Sequence, residues 1–107
     1  MINTRVLARP IRCLYLHHIL EILEKKYCVN KTKITDNFGW SSTEIQNLSF
    51  RLDRWMTEER VNVLEDFFVE KYGPLIERDL PDTYTGVVGI ANEMIAKLEL
   101  DMEEYYV

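Results

Sequence analysis

The sequence predicts an all-α protein that folds as a compact bundle of about five helices. Apolar residues recur every three or four positions along most of the chain, which is typical of helices with one buried side. No pair of segments alternates apolar and polar residues as the strands of a β-hairpin do. The chain has 107 residues, 47% of them hydrophobic, which is enough for one core. We therefore expect a single domain over residues 1–107.

A flexible, irregular basic arm is predicted at residues 1–9, before the first helix. Arg5 and Arg9 make this segment basic, and Pro10 suits the first turn of a helix because it has no N–H group to leave unpaired. The arm either follows the phosphates of a nucleic acid or is a solvated terminus. We favour the solvated terminus, because charged chain ends are common where no ligand binds.

The first long helix is predicted over residues 11–27 and is broad enough to be the centre of the bundle. Its expected apolar face consists of Ile11, Leu14, Tyr15, Ile19, Ile22 and Leu23. Cys13 and His17 are four positions apart, a spacing that two zinc ligands on one helix can share. No second Cys or His pair follows at ligand spacing, so we predict no metal site. Cys13 and Cys28 are expected to be small buried side chains.

The centre of the chain predicts two short helices joined by a tight turn. The first is expected over residues 31–38, with Asn30 as its N-cap. Gly39 then ends it, because glycine adopts a left-handed backbone without strain. Ser41 and Glu44 match the S-x-x-E capping box, which starts a second helix. The apolar stripe of this second helix consists of Ile45, Leu48, Leu52 and Trp55.

This layout over residues 31–52 resembles the helix-turn-helix of many small DNA-binding regulators. In those proteins an apolar residue, a turn glycine and two later apolar residues clamp the two helices together. The residues at these positions are Ile34, Gly39, Ile45 and Leu48. Thr35 stands where such motifs usually have alanine, which predicts looser packing between the helices. The resemblance implies that the second helix enters the major groove of duplex DNA.

The side of the second helix that faces away from its apolar stripe is predicted to contact DNA. The expected DNA-binding residues are Lys31, Lys33, Thr43, Gln46, Asn47, Phe50, Arg51 and Arg54. The lysines and arginines would hold phosphates, whereas Thr43, Gln46 and Asn47 would bond to base edges. Phe50 would touch a thymine methyl group or pack against a protein partner. The same composition is also typical of an ordinary solvated helix face.

Two further helices are predicted in the second half, and the absence of a strand pair predicts no wing. Thr57 is the expected N-cap of the first, and Gly73 and Pro74 should end it. Its buried side is predicted to contain Val61, Leu64, Phe67, Phe68 and Tyr72. Residues 74–83 should form a connector, with one helical turn at 75–79.

The final helix is predicted over residues 85–104. Its expected apolar side consists of Val87, Ala91, Met94, Ile95, Leu98 and Met102. Such a helix either completes the core of the monomer or pairs with a second copy of itself in a homodimer. We favour completion of the core, although the two-fold arrangement of many DNA half-sites supports a dimer.

Charge is divided unevenly along the chain, which has a net charge of −5. Residues 1–56 carry nine basic and five acidic residues, a net charge of +4, and include the basic helix-turn-helix half at 11–56. The acidic half at 57–107 carries a net charge of −9. Acidity of this size argues against indiscriminate binding to nucleic acid.

Two hypotheses about function follow from the motif and the charge. The first is a DNA-binding transcriptional regulator whose partner is double-stranded DNA. The alternative is an acidic, non-catalytic inhibitor or immunity-type protein, from a phage or toxin-defence setting, that binds a basic protein and blocks a nucleic-acid enzyme. The turn motif favours the first hypothesis, and the acidity favours the second.

The sequence carries none of the motifs that would predict catalysis. It has no glycine-rich phosphate loop, no nucleophile elbow and no H-E-x-x-H pair. We therefore expect no enzyme activity and no cofactor. The longest apolar run, at 11–23, is interrupted by charged residues and histidines and is too short for a membrane span. No secretory signal pattern is present, and a cytoplasmic location is expected.

Overall fold

The computed structural model describes residues 3–40 and 57–97, except for the side chain of Thr35. The protein is all-α, as predicted, and no strand occurs in these two ranges. The helices are α1 (Arg9–Lys25), α2 (Lys31–Phe38), α3 (Glu58–Ile76) and α4 (Tyr84–Lys97). A 3-10 turn at Glu77–Asp79 directly follows α3. The predicted second helix of the turn motif lies outside the described residues.

The central helix is α1, which packs against both α3 and α4. Its fully buried apolar side chains are Cys13, Leu14, Tyr15, Leu16, Ile19, Leu20 and Leu23. One core cluster joins α1 to α2 and α3, and a smaller one joins Ile11 and Leu14 to Ala91, Met94 and Ile95 of α4. Because α1 is buried on more than one side, the core extends beyond the single apolar face predicted for it.

The bounds of α1 differ from the predicted 11–27 by two residues at each end. Pro10 lies in the first turn, as expected, but Ala8 is the N-cap and the helix therefore begins at Arg9. At the other end Cys28 has a left-handed backbone, with φ of 56°. The Val29 N–H donates to the carbonyl of Leu23 at 2.9 Å, so the chain turns away from the helix axis.

The prediction that both cysteines are buried is correct for Cys13 and wrong for Cys28. Cys28 is exposed because it belongs to the turn beyond α1 and not to the helix itself. Its positive φ is unusual for a residue with a side chain, because the Cβ atom then crowds the carbonyl oxygen.

The N-cap of α3 is Thr57, as predicted, and its hydroxyl accepts a hydrogen bond from the Arg60 N–H at 3.3 Å. The predicted end at Gly73 and Pro74 is wrong, since α3 continues to Ile76. Proline disfavours a helical residue before it partly through a clash with that residue's Cβ, which Gly73 lacks. The extra turn also places Ile76 in the core with no exposed surface.

The last helix, α4, begins at Tyr84, one residue before the predicted start. The Thr83 hydroxyl accepts a hydrogen bond from the Gly86 N–H at 3.1 Å and so caps it. The predicted core residues Val87, Ala91, Met94 and Ile95 are buried, which confirms that this side of α4 completes the core. The predicted continuation over 98–104, with Leu98 and Met102, lies outside the described residues.

A buried polar network joins α1 to α3. Arg12 is only 1% exposed, and its guanidinium donates to Glu58 at 2.9 Å and to Glu65 at 3.5 Å. The Arg12 Nε donates to the Thr4 hydroxyl at 3.2 Å, and that hydroxyl donates to Glu65. Arg12 and Glu65 are therefore two buried charged residues that pair with each other between α1 and α3.

The described part of the N-terminal arm, residues 3–8, is irregular but packs against the helices. Thr4 has no exposed surface, and Arg5 forms an ion pair with Asp66 of α3 at 2.8 Å. The favoured prediction of a solvated terminus is therefore wrong at Thr4. Thr4 is buried because its hydroxyl forms hydrogen bonds with the buried side chains of Arg12 and Glu65.

Replacing Arg12 by methionine should lower the free energy of unfolding by about 3–5 kcal/mol, because the Glu65 carboxylate stays buried without its cation. Adding Glu65→Gln should recover part of that loss, since glutamine is neutral and still accepts a hydrogen bond from Thr4. Arg5→Met is the control, and loss of its exposed ion pair should cost less than about 1 kcal/mol. Urea denaturation measures all three, and equal losses for Arg12→Met and Arg5→Met would contradict the prediction.

Substitutions at the two residues with a left-handed backbone, Cys28 and Gly39, should have opposite effects on stability. Gly39→Ala should destabilise the protein by about 1 kcal/mol through the backbone alone, since no described atom would lie within 4 Å of the new Cβ. Cys28→Gly should stabilise it by up to about 1 kcal/mol, because glycine relieves the left-handed strain. Both values come from urea denaturation, and a loss of stability in Cys28→Gly would contradict the strain argument.

Candidate nucleic-acid interface

The first helix of the predicted motif and its turn glycine occur at the predicted positions. Helix α2 spans Lys31–Phe38, and the Asn30 side chain accepts a hydrogen bond from the Thr32 N–H at 2.8 Å. Ile34 has no exposed surface and joins the core cluster of α1 and α3. Gly39 follows α2 with a φ of 71°, which is the left-handed conformation that the sequence predicts.

Four aromatic rings hold the end of α2 against α3. Trp40 stacks on Phe38 with centroids 4.5 Å apart, and Phe38 meets Phe67 edge-on at 5.1 Å. Phe67 also meets Tyr72 edge-on at 5.9 Å. Pairs of this geometry contribute about 0.5–1.5 kcal/mol each beyond the burial of their area. The turn after α2 is thus fixed by contacts with α3, which the local sequence pattern around Gly39 does not reveal.

Only two of the eight predicted DNA-binding residues lie in the described ranges. Lys33 is exposed on α2. The Lys31 side chain is 21% exposed, and its Nζ lies 2.9 Å from an Oε atom of Glu24. The predicted residues outside the described ranges are Thr43, Gln46, Asn47, Phe50, Arg51 and Arg54. The structure thus describes two of the predicted DNA-binding residues, both on α2.

Much of the positive charge in the first half is paired within the protein. Seven basic residues lie in the described part of that half, and at least four of them form ion pairs with carboxylates. These four are Arg5, Arg12, Lys26 and Lys31. The partner of Lys26 is Asp79, which also accepts a hydrogen bond from the Tyr27 hydroxyl at 2.5 Å. The hydrogen bond from Lys26 lowers the pKa of Asp79.

These ion pairs reduce the cations available for a nucleic acid. A phosphate that approaches Lys31 must displace Glu24 or share the lysine with it. Lys33, exposed on the same helix, needs no such exchange with Glu24. A net charge of +4 for residues 1–56 therefore overstates the positive field at the surface.

The buried thiol of Cys13 and the buried phenol of Tyr15, both in α1, are held in their neutral forms. Burial raises the pKa of the Cys13 thiol to about 11, so it is a poor nucleophile and a poor metal ligand near neutral pH. Burial also raises the pKa of Tyr15 to about 12. Over residues 3–40 and 57–97, no three His, Cys, Asp or Glu side chains are placed to share a metal ion.

His17 is buried near Lys31, the first residue of α2, and its environment disfavours the charged imidazolium form. Burial lowers its pKa, and the positive charge of Lys31 acts in the same direction. Glu21, whose Oε1 lies 3.3 Å from the His17 Nε2, opposes this shift. Burial also lowers the pKa of the neighbouring His18, which lies near Glu93 and Lys97 of α4.

Comparisons of the chain with protein-family models, with curated proteins and with solved structures found no match. Within the described ranges, no helix has both the length and the apolar character that a membrane span requires.

Acidification should destabilise the protein through its two histidines. Below the ordinary pKa of 6.5, the unfolded chain takes up protons that the folded protein resists, so stability falls as pH drops toward the folded pKa. The free energy of unfolding should decrease between about pH 7.5 and about pH 5.5, above the range in which most carboxylates titrate.

The variant His17→Gln should show a smaller decrease than the native protein over that pH range. The double variant His17→Gln/His18→Gln should show the least decrease of the three. Urea denaturation at several pH values measures these slopes, and a double variant with the native slope would contradict the assignment.

Proposed function

We propose that the protein is a small helix-turn-helix DNA-binding protein that acts as a transcriptional regulator. The observation that carries this proposal is the left-handed Gly39 directly after α2, with Ile34 of the same helix buried in the core. This is the pair of features by which the first helix and turn of such motifs are built.

The proposed contacts divide into two groups. Lys31, Lys33, Arg51 and Arg54 hold phosphates, which provides affinity without sequence preference. Thr43, Gln46 and Asn47 contact base edges in the major groove, where an amide side chain can form two hydrogen bonds to adenine. Lys31 exchanges Glu24 for a phosphate when DNA binds. An ion pair at the protein surface contributes only about 0–1 kcal/mol, so this exchange is accessible.

The test is a titration of a labelled mixed-sequence DNA duplex, followed by fluorescence anisotropy at several salt concentrations. The logarithm of the binding constant should fall linearly with the logarithm of salt concentration, with a slope of about −0.9 per phosphate contacted. The double variant Arg51→Ala/Arg54→Ala should abolish binding while circular dichroism shows an unchanged fold.

The matched control is Lys71→Ala/Arg78→Ala, which removes two positive charges from the acidic half. This control should bind DNA as the native protein does, because neither residue belongs to the proposed interface. Native affinity in Arg51→Ala/Arg54→Ala would remove these arginines from the interface. Equal loss in both double variants would indicate attraction by net charge alone.

The internal pairing of basic residues favours a second candidate, an acidic inhibitor that covers a basic site on a nucleic-acid enzyme. Residues 57–107 carry a net charge of −9, and α3 exposes Glu59, Asp66 and Glu70. Such a surface attracts a basic partner and speeds its association. Failure of the native protein to bind duplex DNA at low salt, with capture of a basic protein from the native host, would favour this candidate.

A further inference from the structure

A cavity of about 470 Å³ lies between the end of α2 and the second half of α3. It is lined by Asn37 of α2 and by Phe67, Glu70 and Lys71 of α3. Cavities that hold small ligands in proteins range from about 300 to about 1,000 Å³. The lining combines an amide, an aromatic ring, a carboxylate and an ammonium group. This cavity therefore has the size and the chemical variety of a small-molecule site.

The Phe67 ring forms the aromatic wall of the cavity and is held in place by two neighbouring rings. It meets Phe38 edge-on at 5.1 Å and Tyr72 edge-on at 5.9 Å. Trp40 in turn stacks on Phe38 with centroids 4.5 Å apart. A ring fixed in this way needs no reordering when a ligand packs against it, so little conformational entropy is lost on binding.

The two charged side chains of the cavity have opposite signs and are not paired. The Lys71 Nζ lies 5.6 Å from the centroid of Phe67 and 5.9 Å from that of Tyr72, within the range of a cation–π contact. The side chains of Glu70 and Lys71 form no hydrogen bond or ion pair with each other or with any other described residue. The Asn37 amide also has no such partner among the described residues. The cavity thus presents one negative and one positive group to a ligand.

We propose that this cavity binds a small zwitterion with an apolar side chain, of the class of the free α-amino acids. The carboxylate of the ligand pairs with Lys71, its ammonium group pairs with Glu70, and its side chain packs against the Phe67 ring. The Asn37 amide can donate a hydrogen bond to the carboxylate or accept one from the ammonium group. A ligand with a single charge leaves one of the two charged residues unpaired and is repelled by it.

An NMR titration of the isotope-labelled full chain with phenylalanine tests this proposal, because phenylalanine is a zwitterion with an apolar ring. The dissociation constant should be on the order of 1 mM, the affinity expected of a ligand with about twelve non-hydrogen atoms. The backbone amide signals of Asn37, Phe67, Glu70 and Lys71 should shift most, since these residues line the cavity.

Two analogues that each lack one charge separate the contributions of the two charged residues. Phenethylamine keeps the ammonium group alone, and 3-phenylpropionate keeps the carboxylate alone. Each analogue should bind about three- to fivefold more weakly than phenylalanine, because each loses one exposed ion pair.

Variants of the two charged residues should each affect a different analogue. Glu70→Gln should weaken the binding of phenylalanine and phenethylamine but not that of 3-phenylpropionate. Lys71→Met should weaken the binding of phenylalanine and 3-phenylpropionate but not that of phenethylamine. Both side chains are exposed, so the fold should be unchanged. The controls Glu59→Gln and Lys25→Met make the same changes at exposed residues outside the cavity lining and should bind all three ligands as the native protein does.

Three results would each overturn the proposal. The first is the absence of any shift up to about 10 mM phenylalanine, and the second is a set of shifts that lies mainly outside the cavity lining. The third is native binding of all three ligands to both Glu70→Gln and Lys71→Met, which would indicate contact with the apolar ring alone. The titration contains no DNA, so its outcome is independent of the proposed function.

Discussion

The relative placement of α1, α3 and the N-terminal arm depends on the hydrogen bonds of the buried Arg12 guanidinium. A charge this far from water is tolerated only when its partners are close and well oriented, and here Glu58, Glu65 and Thr4 supply them. These partners lie in two separate parts of the chain, the N-terminal arm and α3. An apolar contact permits small sliding movements between helices, whereas a network of directed hydrogen bonds restricts them. The network therefore fixes the register of α1 against α3.

Features with a local physical cause could be predicted from the sequence. The bounds of α2, the left-handed Gly39 and the Thr57 cap each depend on a few neighbouring residues. Features that depend on distant residues could not be predicted. Arg12 and Glu65 are 53 positions apart, and both residue types are usually exposed. The continuation of α3 past Pro74 has both a local and a distant cause. The local cause is the preceding glycine, which has no Cβ to clash with the proline, and the distant cause is the burial of Ile76 in the core.

In the candidate interface, too, some features have a local cause and others depend on distant residues. The positions of Lys31 and Lys33 on α2 follow from the helix, which the sequence predicts, but the pairing of Lys31 with Glu24 depends on how α1 and α2 pack. Likewise, Lys26 pairs with Asp79 and Arg5 with Asp66, across 53 and 61 positions. A count of charged residues along the sequence does not show which positive charges are neutralised by ion pairs in the folded protein. Over residues 3–40 and 57–97, the surface charge is therefore more evenly distributed than the basic and acidic halves of the sequence suggest.

The buried position of α1 also affects how the chain folds during synthesis. Domains tend to fold as units while the ribosome adds residues from the N-terminus. Helix α1 emerges early, but its partners α3 and α4 lie at Glu58–Ile76 and Tyr84–Lys97. Until those helices leave the ribosome, α1, which has the most buried residues of the described helices, has few surfaces to pack against. The nascent chain thus resembles a substrate for molecular chaperones until α3 and α4 have emerged.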